Sequence, residues 1–122
     1  MGFPSNPLFD LTFIQNEGAA FNIFQGAKIF LILFSAFAVA AIVFSLQRKM
    51  SKLSTTAIFL VSLLLAGISC NMIERIHYGY VIDFIKLNFI DFPVFNISDI
   101  FINLSVLGIL IIIIKNSYFK KS

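Results

Sequence analysis

Two aspartates, Asp83 and Asp99, flank an aromatic, proline-containing stretch, and Asn71, Glu74, Arg75 and Asn96 lie close to them in the chain. Almost everything around these residues is apolar. A charged side chain at a membrane centre costs roughly 2.5–3.5 kcal/mol on insertion scales, so polar residues at such margins point to function. Two carboxyl groups held side by side cannot both ionise cheaply: one pKa rises, the other falls, and the pair shares a proton. The ionised member can take a proton from water while the neutral member donates to a peptide carbonyl. That chemistry hydrolyses a peptide without a metal or a covalent nucleophile. Arg75 can neutralise neighbouring charge, and the asparagines can hold a substrate backbone.

The spacing predicts how these groups meet. Asn96, Asp99 and Asn103 stand at i, i+3 and i+7 and are expected on one helix face. Asn71 stands three positions before Glu74 and four before Arg75, on one face of the preceding helix. Two polar faces at the same depth should meet rather than face lipid, with Asp83 folding back onto them from the connecting segment. Asp91 is a rival for Asp83. The competing reading is that the acids only cap helices and mark the interface. Asp10, Glu17 and Asp91 itself read as solvated surface rather than chemistry, His77 as an interfacial side chain, and Cys70 as packed between helices.

The rest of the chain is what must hold these groups. Of its 122 residues 59% are hydrophobic and 12% charged, about half the charge of a soluble domain. The net charge of +3 is too small to argue for nucleic acid. Cys70 is the only cysteine, so no internal disulfide forms. Cys70 and His77 are the only soft ligands, which excludes a conventional zinc site, and no metal or other cofactor is expected. The opening residues MGFPSNPLFD lack the basic start and apolar core of a signal peptide.

Residues 1–27 read as an external segment, with a short strand over Phe9–Ile14 and a turn within Asn16–Gly26. Three transmembrane helices follow, over 29–46, 54–73 and 97–114, each long enough to cross about 30 Å of hydrocarbon. Ser54 supplies N-cap chemistry for the second, and Ser62, Gly67 and Ser69 would let it approach a neighbour closely. Residues 74–96 form an external loop, in which Val81–Phe92 is amphipathic and aromatic and is expected as an interfacial helix. Arg48, Lys49 and Lys52 follow the first span; Lys115, Lys120 and Lys121 follow the third. Neither group contains an acid, so both belong in the cytoplasm. All six acids then face outward. The fold class is thus an all-α polytopic membrane protein, read as a single membrane domain over 1–122. An external N-terminus ahead of three spans is awkward, since it must cross without a leading helix.

Three separated motifs resemble those of lipoprotein signal peptidase (signal peptidase II), a bacterial membrane protease of the aspartic type. Asn16-Glu17-Gly18-Ala19-Ala20-Phe21 is similar to N-x-G-A-A-F. Asn71 to Arg75 followed by Gly79 to Phe84 is similar to G-N-x-x-D-R and then G-x-V-x-D-F. Phe92 to Asp99 is similar to F-P-x-F-N-x-A-D. The resemblance runs from Phe9 to Ile114. It implies catalytic roles for Asp83 and Asp99 and substrate-binding roles for Asn16, Asn71, Arg75 and Asn96. It also implies removal of signal peptides from diacylglyceryl-modified prolipoproteins at the outer face of the bacterial cytoplasmic (inner) membrane, by a monomer in contact with lipid. The family fold has four transmembrane helices, a small external β-cradle and a surface helix.

This chain departs from the pattern in three places. The family's first helix is missing, so the true start lies upstream or the protein is shortened. Glu74 stands where the family has aspartate. Ala66 and Cys70 stand where glycine is usual. Two alternatives follow: a relative that binds lipidated peptides without cleaving them, and a small membrane transporter with an intramembrane acid. No acid lies in the middle of a span, which argues against the transporter.

Overall fold

The computed structural model describes residues 6–18 and 27–120, without the side chains of 119 and 120. Strand β1 (Phe9–Asn16) leads to helix α1 (Lys28–Lys49), a 3-10 turn (Met50–Lys52), helix α2 (Thr55–Tyr78), strand β2 (Val81–Leu87) and helix α3 (Ile97–Lys120). Most of the turn expected within Asn16–Gly26 lies outside the described residues, including Ala19, Ala20 and Phe21 of the first motif.

All three helices are long and apolar enough to cross a membrane. Their side chains are exposed along most of their length, because lipid rather than protein solvates them; α1 buries only Leu31. Ser54 caps α2 as its type predicts, its hydroxyl oxygen accepting from Ala57 N at 3.1 Å. Gly79 ends the same helix with φ +86°, its N–H donating to the Arg75 carbonyl. That left-handed residue turns the chain out of the helix and into β2.

Helix α2 packs on both α1 and α3. A Cβ at Gly67 would lie 2.7 Å from Ile102 Cγ1 and 2.9 Å from the Ser98 carbonyl oxygen, so the absent side chain brings the first turns of α3 against α2. Gly108 plays a similar part further along, where Leu60 fills the space. Of the small residues expected to mediate this contact, Gly67 is buried, Ser69 half-buried and Ser62 exposed.

Segment 81–92 corrects the expectation of an interfacial helix. Val81–Leu87 is a strand, antiparallel to β1, with Asn16 opposite Val81 and Phe9 opposite Leu87; 88–94 has no helix. Its β-branched and aromatic residues suit a pleated surface, and Val81 and Asp83 alternate inward. The register is irregular between Leu11 and Ile14. The chain then returns: Phe95 exchanges backbone hydrogen bonds with Ile85, at 2.8 and 3.1 Å. That bridge sets the next residue, Asn96, beside Asp83.

Lys52 and Ser54 share a cavity with Lys115 and Asn116. The α1–α2 turn and the far part of α3 thus meet at one end of the bundle, and the sheet covers the other.

Candidate active site

Six polar residues from four elements are buried together at the sheet end. Asn16, Asn71, Arg75, Asp83, Asn96 and Asp99 are each no more than 7% exposed. Burying such groups is costly unless they satisfy one another, and here each makes at least one hydrogen bond. Asp83 Oδ2 accepts from Asn16 Nδ2 at 2.9 Å, and Asp83 Oδ1 accepts from Asn96 Nδ2 at 3.0 Å. Asp99 Oδ1 accepts from Asn71 Nδ2 at 3.4 Å, and Asp99 Oδ2 accepts from the Asn96 backbone N–H at 3.1 Å.

Asn96 therefore touches both carboxyl groups, one with its side chain and the other with its backbone. Its own Oδ1 accepts from the Asp99 N–H at 2.9 Å. With α3 starting at Ile97, Asn96 and Asp99 form the reciprocal pair of a capping box. The sequence carries that signal: an Asn-x-x-Asp spacing just ahead of an apolar run. Asn96 Nδ2 also lies 3.3 Å from Asn71 Oδ1, which joins α2 to the pair.

Arg75 Nη2 donates to the Gly18 carbonyl at 3.1 Å, while its buried Nε has no partner among the described residues. Gly18 N in turn donates to Asn16 Oδ1 at 2.8 Å. Arg75 thereby fastens the turn that carries Asn16. Glu74 is half-buried and makes a different link, its Oε2 accepting from the Ile82 N–H at 2.8 Å. Its side chain thus reaches the strand one residue before Asp83. The partners of Arg75 and Glu74 are backbone groups, which residue types do not reveal.

Burial pushes the Asp83 carboxyl up to about 6 from 3.8; the nearby Asp99 and Glu74 charges raise it further, and the Asn16 and Asn96 amides oppose the rise.

Two expected placements are corrected, those of Asn103 and Cys70. Asp91, the rival of Asp83, is exposed and outside the cluster. Asn103 does not join Asn96 and Asp99: it is exposed and lines a separate apolar cavity. It keeps the same face but stands about 6 Å further along the helix than Asp99. Cys70 is exposed rather than packed between helices. His77 is exposed, its ring edge-on to Tyr78 at 4.6 Å. No group of acids, histidines and cysteines suited to a metal occurs among the described residues.

Residues 2–115 match the family described as signal peptidase (SPase) II, of the peptidase A8 class. The chain belongs to the signal peptidase II family. It is an aspartic-type signal peptidase and a multi-pass bacterial membrane protein. The lipoprotein signal peptidase of Streptococcus thermophilus (strain CNRZ 1066) is 37% identical over 108 residues, spanning 88% of this chain and 70% of that protein. The protein of the same name from Clostridium tetani (strain Massachusetts / E88) is 36% identical over 115 residues, spanning 92% and 73%. Two solved structures, both described as bacterial membrane enzymes, are similar throughout. One has a TM-score of 0.87 and 30% identity, covering 95% of this chain and 71% of its own. The other has 0.80 and 32%, covering 94% and 76%.

Proposed function

We propose that Asp83 and Asp99 are the acid pair with which this signal peptidase cleaves diacylglyceryl-modified prolipoproteins at the outer face of the bacterial inner membrane. The observation that carries the reading is the bridge through Asn96, which contacts both carboxyl groups among buried amides and one guanidinium. One carboxylate takes a proton from water as the oxygen adds to the scissile carbonyl carbon. The other, protonated, gives its proton to the carbonyl oxygen. The tetrahedral diol then collapses, the C–N bond breaks, and the leaving amine receives a proton from the pair. Asn16, Asn71 and Asn96 hold the carboxyl groups in place and, with Arg75, present polar groups to the substrate backbone.

The outward-facing orientation is supported by charge. Lys49, Lys52 and Lys115 gather at the end of the bundle opposite the polar cluster, as the positive-inside rule requires of a cytoplasmic end. The test is to incubate the 122-residue chain, in detergent or lipid, with a diacylglyceryl-modified prolipoprotein and follow the gel shift. Cleavage by the parent, absent with Asp83→Asn and with Asp99→Asn, is expected. Cleavage retained by both variants would overturn the reading.

A further inference from the structure

Asn103 is a polar residue of α3 that the acid pair leaves unused. It follows Asp99 by four positions, about 6 Å deeper along the helix at 1.5 Å per residue and turned by about 40°. No hydrogen bond ties its amide to another described residue. With Leu87, Phe92, Phe95, Ile100 and Leu104 it lines a cavity of about 240 Å³, beneath the return from β2 to α3. Every other lining side chain is apolar. Phe92 and Phe95 meet edge to face at 5.8 Å and wall one side.

An amide in hydrocarbon without a partner is costly. The group that satisfies it must bring an acceptor into an apolar cavity from the lipid side. An ester carbonyl at the head of an acyl chain does that, since its acceptor is attached to a tail that fills the rest of the space. The volume suits part of one chain; sites that enclose a whole small molecule run to about 300–1,000 Å³.

We propose that Asn103 and this cavity form a subsite for one ester-linked acyl chain of the lipidated substrate, with Asn103 Nδ2 donating to the ester carbonyl. The assignment rests on the reading of Asp83 and Asp99 as the acid pair. The reach agrees with it. From a scissile carbonyl beside a diacylglyceryl cysteine to the nearer ester carbonyl there are about eight bonds of roughly 1.5 Å. Such a tether spans the 6 Å step from Asp99 to Asn103 without full extension.

A chemical double cycle tests the subsite. The full chain in nanodiscs is titrated with a fluorescent peptide beginning with S-diacylglyceryl cysteine, and with its dialkyl ether analogue, which lacks the ester carbonyl. Asn103→Leu and Asn103→Ala are compared with the parent. One hydrogen bond in lipid corresponds to about five- to tenfold in Kd. The ester ligand should lose that factor in both variants, the ether ligand should lose nothing, and the parent should favour ester over ether by the same factor. Equal losses for both ligands, or no loss for either, would overturn the subsite. The titration needs no turnover. Absent cleavage by the parent, or cleavage surviving Asp83→Asn and Asp99→Asn, therefore counts against the acid pair alone.

Discussion

The two ends of the α2–α3 pair solve different problems. At the sheet end the helices meet through Asn71, Arg75, Asn96 and Asp99, all buried and hydrogen-bonded. At the basic end they meet through Gly108 and Leu60, with lysines around the cavities beyond. Polar contacts are directional, so the first end specifies a geometry to within a hydrogen bond. Apolar contacts are tolerant, so the second end only holds the helices together.

The largest contrast is expected in turnover. Asp83→Asn and Asp99→Asn should each reduce cleavage by at least about 10²–10⁴-fold, the range for loss of a proton-transfer group. Lys49→Gln and Lys52→Gln, at the other end, should leave kcat/KM unchanged. Both sets are read in the same prolipoprotein assay, with helix content followed by circular dichroism. A comparable loss from the lysine variants would erase the distinction between the ends.

Glu74 sharpens the geometric side of the contrast. Glu74→Ala removes the acceptor of the Ile82 N–H and should lower kcat by roughly fivefold, in line with one lost hydrogen bond of about 1 kcal/mol acting on the strand that carries Asp83. Glu74→Gln keeps an acceptor and should retain most of the activity. Equal loss in the two variants would show that charge rather than position matters at this residue.

A smaller effect separates the two glycines. Gly67→Ala meets the Ser98 backbone oxygen at 2.9 Å, whereas Gly108→Ala meets only the flexible tip of Leu60. The first should destabilise by about 1–3 kcal/mol and the second by less, measured by thermal unfolding in detergent. The reverse order would show that the sheet end, not the basic end, is the adaptable one.

A further effect is in pH. Because the Asp83 carboxyl titrates near 6 when folded and near 3.8 when not, the folded state binds the extra proton between those values. Stability should therefore fall as pH rises from about 4 to 6 and level off above it. Asp83→Asn should flatten this slope in Tm measured across the same window.

Much of the fold was legible because lipid imposes simple rules. Uncharged runs of span length, Ser54 ahead of α2 and the basic clusters each act locally, and the structure contains the three helices they predict. Asp83, Asp99, Asn71, Arg75 and Asn96 were legible as well, since polar groups stand out in an apolar chain; Asn16 was legible only through its resemblance motif. Segment 81–92 misled because a short aromatic stretch has no decisive period, and its partner strand lies some seventy residues earlier. Asn103 misled because it shares a face with Asn96 and Asp99 but stands about 6 Å further along the helix than Asp99, so membership of a face does not guarantee burial.

By itself, the sequence determined where the apolar, span-length runs lie and the residue types available for acid chemistry. Both follow from the free energy of moving single side chains between water and hydrocarbon, which each residue carries wherever it sits. Only the tertiary structure decided that Asp83 rather than Asp91 joins Asp99, that Asn96 bridges them, and that Glu74 and Arg75 grip backbone atoms of Ile82 and Gly18. Those choices depend on hydrogen bonds between atoms brought together from distant parts of the chain, and such bonds exist only once β1, β2 and the two helices have met.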